Sequence, residues 1–185
     1  IEVTDDHPFL YVDRKQKNEK NNEWHVRWNI PRFFKKGDYL AIPINKTILL
    51  QKAYPIKIKK WSAIKRRHID VVMNVPSTKQ FFELVGYYLA EGSISGGHYL
   101  NFSFGSHERN LIDRVKYLLK NVFGFKKPIE THHKKNNGTN VVVCSTDLCK
   151  IFEIFGTSAN KKSIPHWMML AEPEKQKALI RSYFY

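Results

Sequence analysis

The sequence has few cysteines, no long apolar run and no leader-like start, and each absence excludes a class of protein. Two cysteines are too few for a disulfide-stapled fold. No apolar run approaches the length that spans a bilayer, and residues 1–7 lack the basic and apolar regions of a signal peptide. We therefore expect a soluble protein of the cytoplasm with no membrane partner.

The two cysteines also make a poor metal site. Cys144 and Cys149 could join His132 and His133 as four zinc ligands, but their spacing matches no zinc motif. Both cysteines fall where a strand and a helix need small apolar side chains. A structural zinc is therefore the disfavoured alternative.

Acidic residues are also scarce, and one long stretch has none. The chain has 31 Lys and Arg against 17 Asp and Glu, a net charge of +14, and no acid lies between Tyr39 and Ile69. This excess favours a nucleic acid partner, although a general bias toward lysine would also produce it. Basic side chains neutralise phosphates and interleaved aromatic ones pack on sugars or bases. Residues 46–78 are therefore predicted to be a basic linker or DNA-contacting segment, with candidate contacts at Lys57, Lys59, Lys60, Lys65, Arg66 and Arg67.

Residues 1–45 have the patterning of a β domain. Residues 23–30 alternate as a strand does, and the polar residues 14–23 predict a loop. A glycine-containing turn at 36–38 precedes a second predicted strand over 39–44.

The second half of the chain alternates helices with strands. Apolar residues at helical spacing predict one helix over 79–92 and another that Ser106 caps and Gly124 ends. The other predicted elements are strands over 98–105, 127–134 and 139–145, a helix over 146–155 and a last helix from Pro173. The order α, β, β, α, β, β, α and a new helix predicts an α+β domain over 79–185.

The first of these helices ends in a carboxylate. Gly86 and Ala90 lie one turn apart, so a second helix can approach closely. Glu91 stands at the negative end of the helix dipole, where a carboxylate gains most from a bound cation such as Mg²⁺. Two such helices side by side would bring two carboxylates to a scissile phosphate. By its pattern alone, the segment fits an ordinary amphipathic helix with an exposed terminal Glu better.

Four segments, in order, resemble motifs of the intein-encoded LAGLIDADG (DOD-type) homing endonucleases. Leu84–Gly92 (LVGYYLAEG) resembles the first LAGLIDADG motif, with Glu91 in place of the usual final Asp. Phe104–Glu108 (FGSHE) resembles the strand-to-helix passage after it, and Lys162–Pro165 (KSIP) the Lys-x-Ile-Pro block. Leu179–Tyr185 (LIRSYFY) resembles the opening of the second LAGLIDADG helix.

This resemblance implies a fold, an activity and a site. The fold would be the LAGLIDADG fold, αββαββα with a saddle-shaped sheet, and the enzyme would cleave double-stranded DNA at long sites with Mg²⁺ or Mn²⁺. Glu91 would be the catalytic metal ligand, assisted by the Ala90 carbonyl, and Lys162 would stabilise phosphate charge or orient water. The strands would lie in the major groove. Candidate DNA contacts there are His98, Asn101, Ser103, Lys126, Lys127, His132, Lys134 and Lys135.

The N-terminal residues resemble an intein splicing domain. Residues 4–7 (TDDH) resemble its Thr-x-x-His block, and residues 35–43 resemble the strand that follows it. The resemblance implies that residues 1–45 are part of a Hint domain in which His7 activates the scissile peptide bond and Thr4 supports it. The partner would be the flanking host protein, the exteins. Taken alone, His7 would be an ordinary surface histidine.

The chain departs from the family at both ends. It has neither the N-terminal Cys or Ser nucleophile nor the C-terminal His-Asn, and the second acid would fall about two residues past Tyr185. We expect a truncated piece of a pseudo-symmetric monomer that alone neither splices nor cuts. Two alternatives stay open, a splicing element with a decayed endonuclease and a LAGLIDADG module that binds DNA or RNA without cutting.

Overall fold

The chain divides into two compact units, Ile1–Lys46 and Thr47–Tyr185. The computed structural model describes residues 6, 8–18, 23–40, 48–133 and 137–185, and for residues 13–18 and 23–26 it describes the backbone alone. Among the described residues, none of the helices has the length and apolarity that crossing a bilayer requires.

The described part of the first unit is a three-stranded antiparallel sheet. Its strands are β1 (Phe9–Asn18), β2 (Glu23–Asn29) and β3 (Tyr39–Leu40), in the order β2-β1-β3. A 3₁₀ turn, Pro31–Phe33, leads toward the tight turn before β3. There the Asp38 carboxylate accepts a hydrogen bond of 2.7 Å from the Lys35 amide, which confirms the predicted turn.

The strand predicted over 23–30 is confirmed, whereas the polar loop predicted over 14–23 is wrong in part. β1 continues to Asn18 and pairs there with Glu23 of β2. Because main-chain ladder bonds do not depend on side-chain polarity, a polar strand can extend as long as its partner continues. Of the strand predicted over 39–44, Tyr39–Leu40 is described and is a strand.

The second unit begins with a hairpin where a linker was predicted. β4 (Ala53–Ser62) and β5 (Arg67–Pro76) are antiparallel partners along their whole length. Ile56, Ile58 and Val75 are buried in the core of this unit. The linker prediction for residues 46–78 is therefore corrected for 53–76, because alternate apolar residues bury one side of the hairpin; its DNA-contacting part stays a prediction.

The rest of the second unit has the predicted element order, except that a short helix, α4, and 3₁₀ turns that were not predicted precede the last helix. Its helices are α1 (Lys79–Glu91), α2 (Arg109–Phe123), α3 (Thr146–Phe152), α4 (His166–Met169) and α5 (Pro173–Tyr183), with 3₁₀ turns at Glu153–Phe155 and Ala159–Lys161. Its described strands after the hairpin are β6 (Gly92–Ser95), β7 (Tyr99–Gly105), β8 (Ile129–His133) and β9 (Gly138–Cys144), which form an antiparallel sheet in the order β6-β7-β9-β8.

Helix α1 is the central element of the core. It begins where the Thr78 hydroxyl accepts a hydrogen bond from the Phe81 amide, at 3.2 Å, and it ends before Gly92. Its buried side chains meet the apolar side of the sheet; Tyr88, for example, packs edge-on to Phe102 of β7. The predicted helix over 79–92 is confirmed.

Helix α2 begins later than predicted. Its N-cap position is Glu108, and Ser106 does not cap it. The Ser106 hydroxyl instead bonds to the Thr139 hydroxyl at 3.0 Å, while the Glu108 carboxylate accepts a 2.6 Å hydrogen bond from the Gly105 amide. Because the Ser106 hydroxyl is engaged by the Thr139 hydroxyl, Ser106 does not accept a capping bond from the helix, and Glu108 occupies the N-cap position. The predicted end at Gly124, whose φ is +69°, is confirmed.

Candidate functional site

Helices α1 and α5 pack at very short range, as the Gly86–Ala90 spacing predicted. A Cβ built on Gly86 would overlap both the Ser182 hydroxyl and the Leu179 carbonyl oxygen of α5. Only a residue without a side chain therefore allows this contact. The pair α1 and α5 is called the seam below.

A buried serine links the two helices of the seam. The Ser182 side chain is 4% exposed, and its hydroxyl lies 2.8 Å from the carbonyl oxygen of Glu83 on α1. It also lies 2.9 Å from the Ala178 carbonyl and 3.0 Å from the Leu179 carbonyl of its own helix. With one proton the hydroxyl donates to one of these oxygens at a time, so the interhelical bond competes with the intrahelical ones.

Lys162 is held against the C-terminal end of α1. Its ammonium donates a 3.0 Å hydrogen bond to the Leu89 carbonyl and stands 5.3 Å from the centre of the Tyr88 ring. Burial lowers the pKa of Lys162, and the nearby Glu91 carboxylate opposes that shift. The helix end, with its unpaired carbonyls and partial negative charge, is a favourable place for a cation.

The segment that carries Lys162 is tied to α1 by main-chain and side-chain bonds. The Tyr88 hydroxyl donates a 2.6 Å hydrogen bond to the Gly156 carbonyl, and burial raises its pKa, which keeps it a donor. The Ile94 amide donates to the Thr157 carbonyl at 3.3 Å. Gly156 has a φ of +92°, which a residue with a side chain rarely adopts. These contacts fix where Lys162 lies relative to α1.

An open groove of about 630 Å³ lies at this end of the seam. It is lined by Leu89, Ala90, Ala159, Lys162, Ser163, Ile164, Leu179, Ile180, Tyr183 and Phe184. Most of these side chains are apolar, so the Lys162 ammonium is the charged group within a largely apolar surface. The structure thus brings together Ala90 and Lys162, two of the residues predicted for the site.

Glu91 is the last residue of α1 and follows Ala90, which lines this groove. Its side chain is exposed, and its charge acts on Lys162. Among the described residues, no group of three or more His, Cys, Asp or Glu lies close enough together to hold a metal ion. At this position Glu91 offers an exposed carboxylate, and it follows Ala90 directly in the chain.

The outer face of the sheet carries two of the predicted DNA contacts. Asn101 and Ser103 alternate with the buried residues of β7, and Ser103 is paired with Asn140 of β9. The Asn101 amide donates a 3.0 Å hydrogen bond to the Ser95 hydroxyl. These side chains form one polar surface on the side of the sheet away from the helices.

The remaining candidates are spread around this sheet. His98 lies in the turn between β6 and β7, and the exposed Lys126 and Lys127 precede β8. His132 is on the helix side of the sheet, because it pairs with the buried Thr139 and its ring bonds to that hydroxyl at 2.9 Å. Lys134 and Lys135, like Thr4 and His7 of the splicing motif, lie outside the described residues.

The predicted DNA contacts left out His133, which shares the outer face with Ser103. Its ring nitrogen Nε2 lies 3.1 Å from the Asn140 amide nitrogen, and both residues line a shallow depression with Ser103. Since sides alternate along a strand, placing His132 inward places His133 outward. The strand register was the missing information, and neither histidine is distinguished by its neighbours in the sequence.

The basic residues of the hairpin divide into three groups. Lys57 and Lys59 are exposed on its outer side, whereas Lys60 faces inward and its ammonium bonds to the Asp147 carboxylate at 2.7 Å. Lys65, Arg66 and Arg67 are exposed at the tip. Lys60 is therefore engaged within the protein, and five of the six predicted cations are free to meet an anion.

A helix that ends in a carboxylate, followed by a four-stranded antiparallel sheet that packs on further helices, defines a mixed α/β domain. Residues 79–155 match the family model described as a LAGLIDADG-like domain. This part of the chain thus has a LAGLIDADG-like domain, and the match supports the LAGLIDADG family. The family is generally one of endonucleases that act on DNA.

Three longer proteins are similar to this chain. An uncharacterized protein of Methanocaldococcus jannaschii is 31% identical over 113 residues, which cover 60% of this chain and 14% of that protein. An ATP-dependent DNA helicase of Thermococcus kodakarensis is 25% identical over 130 residues, covering 70% and 11%. A second uncharacterized protein of M. jannaschii is 28% identical over 159 residues, covering 76% and 17%. The chain spans less than a fifth of the length of each of these relatives.

Proposed function

We propose that this chain is part of a homing endonuclease that hydrolyses double-stranded DNA at specific sites with Mg²⁺ or Mn²⁺. The observation that carries the proposal is the end of the seam, where α1 ends in Glu91 and the Leu89 carbonyl of the same helix accepts a hydrogen bond from the Lys162 ammonium. A carboxylate that binds a metal cation and an ammonium that meets phosphate both assist phosphodiester hydrolysis.

The residues at this position fit a magnesium ion that keeps most of its own water. Mg²⁺ is commonly bound through one or two carboxylates, with water and substrate phosphate as its other ligands. Glu91 supplies one exposed carboxylate next to the Ala90 carbonyl. A divalent ion bound there would polarise the phosphate and acidify a bound water.

Lys162 has a separate task. Its ammonium bonds to the Leu89 carbonyl and lies over the Tyr88 ring, and these two contacts favour one position of the charge. A fixed cation stabilises negative charge that develops on a phosphoryl oxygen without reorganising at the moment of reaction. In this proposal Glu91 holds the metal and Lys162 stabilises phosphate charge or orients the attacking water.

DNA binding is proposed to use the sheet and the hairpin. The outer face of the sheet presents Asn101 and Ser103, which can bond to base edges in a major groove. The exposed cations of the hairpin, Lys57 and Lys59 among them, would neutralise phosphates and release counterions. His98, Lys126, Lys127, His132, Lys134 and Lys135 remain proposed contacts, of which His132 faces the helices.

The intein context is a further part of the proposal. The Thr-x-x-His pattern of Thr4 and His7 supports a Hint splicing domain over residues 1–45, with exteins as the partner. The described part of the first unit has three β-strands and one 3₁₀ turn, and this β structure fits such a domain.

The test is cleavage of a plasmid library by the complete gene product that contains residues 1–185. Glu91→Gln keeps the size of the side chain and removes its charge, so we expect cleavage to fall at least about 100-fold. Glu174→Gln, which removes an exposed carboxylate from the first turn of α5, is the matched control and should cut normally. Equal cutting by the Glu91 variant and the control would remove Glu91 from the mechanism.

A non-cleaving DNA-binding module is the second candidate, because among the described residues no group of three or more His, Cys, Asp or Glu is placed to hold a metal ion. If the chain has that function, neither the parent protein nor its Glu91→Gln variant cuts DNA, while both bind duplex DNA. Replacing Lys57 and Lys59 with Ala should then weaken binding and reduce the salt slope by about 2. Lys60→Ala is the control, since that ammonium is engaged by Asp147.

A further inference from the structure

The tip of the β4–β5 hairpin exposes an apolar side chain among cations. Ile64 is 97% exposed, the most exposed of the large apolar side chains in the described part of the chain. Lys65, Arg66 and Arg67 follow it directly, and all three are exposed. An isolated apolar residue that is surrounded by positive charge fits neither a solvated turn nor a protein core.

The tip also departs from ordinary turn chemistry. Ser62 and Arg67 are the last paired residues, so residues 63–66 close the hairpin. Such turns favour Gly, Asn and Asp, yet this one has Ile64 and places Arg66 at a φ of +46°, in the left-handed region. Residues that depart from such local preferences without stabilising the fold tend to lie at functional positions.

The arm that carries this tip is rigid at its base. Ile56 and Ile58 are buried in the core of the second unit, and the Lys60 ammonium is bound by Asp147. Tyr54 stacks on Trp167 with ring centres 3.9 Å apart. Beyond Lys60 the hairpin is exposed on both sides, apart from a partly covered Ser62 and Ile69. The outer half is thus a two-stranded ribbon that projects from a fixed base.

We propose that this ribbon is a wedge that enters the minor groove of duplex DNA, with Ile64 inserted between base pairs to bend the duplex. The inference rests on the proposed DNA-binding function and names the part of the chain that deforms the substrate. Proteins of several folds insert an apolar side chain into a minor-groove base step and hold the opened duplex with neighbouring Lys and Arg. The tip has both components within four residues.

The charge around the tip favours DNA over an apolar protein pocket. Asp70 is the only acid between residues 53 and 76, and it stands opposite Lys59 in the register of the hairpin. Lys65, Arg66 and Arg67 are therefore uncompensated by any acid of the hairpin at the end that Ile64 occupies. Behind them, Trp61 is 56% exposed and meets His68 edge-on at 5.2 Å, which provides an aromatic surface for a sugar.

The test is ligase-catalysed ring closure of a linear duplex of mixed sequence, about 120 base pairs long. Such a fragment is shorter than the DNA persistence length of about 150 base pairs, so it closes efficiently only when a protein bends it. The full chain should raise the closure rate at low salt. Ile64→Ser should reduce that rise about tenfold while the affinity for the same duplex, from gel shift, changes less than about threefold.

Two further variants distinguish a wedge from a general loss of apolar surface. Ile64→Leu keeps an apolar side chain at the tip and should bend DNA as the parent does. Val72→Ser removes a 57% exposed apolar side chain from the outer side of the same hairpin and should also leave bending unchanged. Circular dichroism of each variant checks that the exposed substitution has left the fold intact.

Each other outcome overturns the wedge. If the parent chain binds the duplex without bending it, or Ile64→Ser bends it equally well, the tip touches phosphates alone or docks on a protein, and DNA binding still stands. If the chain binds no duplex at low salt, the wedge fails together with the proposed function.

Discussion

Replacing Gly86 with alanine tests the packing on which the candidate site depends. Position 86 lies inside α1, and a Cβ there would overlap the Ser182 hydroxyl and the Leu179 carbonyl oxygen. The hydroxyl can rotate or move with its side chain, but the carbonyl belongs to the backbone of α5. The two helices must therefore separate before the methyl group fits.

The sign of the change in the free energy of unfolding shows which of two opposed effects is larger, the higher helix propensity of alanine or the overpacking of the seam. In an unobstructed helix interior, Gly→Ala stabilises by about 0.8–1 kcal/mol because alanine loses less backbone entropy. Here the added methyl overpacks the seam, which typically costs about 1–3 kcal/mol. Separation also weakens the bond from Ser182 to the Glu83 carbonyl, a net contribution of about 1 kcal/mol. We expect Gly86→Ala to lower the free energy of unfolding by about 1–3 kcal/mol.

The assay is urea unfolding followed by far-ultraviolet circular dichroism, with a double-mutant cycle as control. Ser182→Ala removes the hydroxyl that the new methyl meets, so the double variant should recover part of the loss. A coupling energy of about 0.5 kcal/mol or more is expected between residues in contact. If Gly86→Ala instead raises stability by about 1 kcal/mol, the helices do not pack at the distance described, and the argument for the seam is refuted.

Two other predictions concern charge. Hydrogen bonds from Arg109 and then Lys116 lower the pKa of Glu130 to about 2 from its ordinary value of 4.5; its stabilising effect is therefore complete above about pH 4.5 and is lost as the pH falls toward 2. Glu130→Gln should remove that part of the acid-induced loss, seen as a flatter dependence of the unfolding free energy on pH between about 4.5 and 2. Burial lowers the pKa of Lys162 and Glu91 raises it, so Glu91→Gln should lower it further in a ¹³C NMR titration of the lysine side chain; an unchanged titration would contradict their proximity.

The helices of the second unit could be predicted from the sequence because their determinants are local. A run of apolar residues at 3.6-residue spacing, a Thr or Ser before it and a Gly after it are enough to predict α1. The helical spacing of its residues after Pro173 predicted α5, although it has no Ser or Thr cap and no Gly after it. The close contact between these helices was also predictable, because Gly86 and Ala90 mark a face without large side chains.

The hairpin was missed because its basic residues concealed its alternation. Tyr54, Ile56 and Ile58 recur at every second position, which is the period of a strand. Their neighbours Lys57 and Lys59 made the segment read as a charged linker. Hydropathy averaged over such a stretch loses the alternation, which a residue-by-residue comparison retains.

Contacts between distant segments were beyond prediction for a different reason. The bond from Tyr88 to Gly156 joins residues 68 positions apart, and the one from Lys60 to Asp147 spans 87. No local pattern encodes such a pair, since each partner also fits an exposed or a differently bonded position. The inward orientation of His132 depends likewise on a register that only the pairing of β8 with β9 determines.

Both charges of the candidate site depend on a single element. Glu91 is the last residue of α1, and Lys162 is positioned by the Leu89 carbonyl and the Tyr88 ring of the same helix. A displacement of α1 therefore affects the carboxylate and the ammonium together. What it changes is their position relative to α5, on which the groove also depends. Packing at Gly86, one and a half turns from the charges, is thus the physical condition for presenting them to a phosphate.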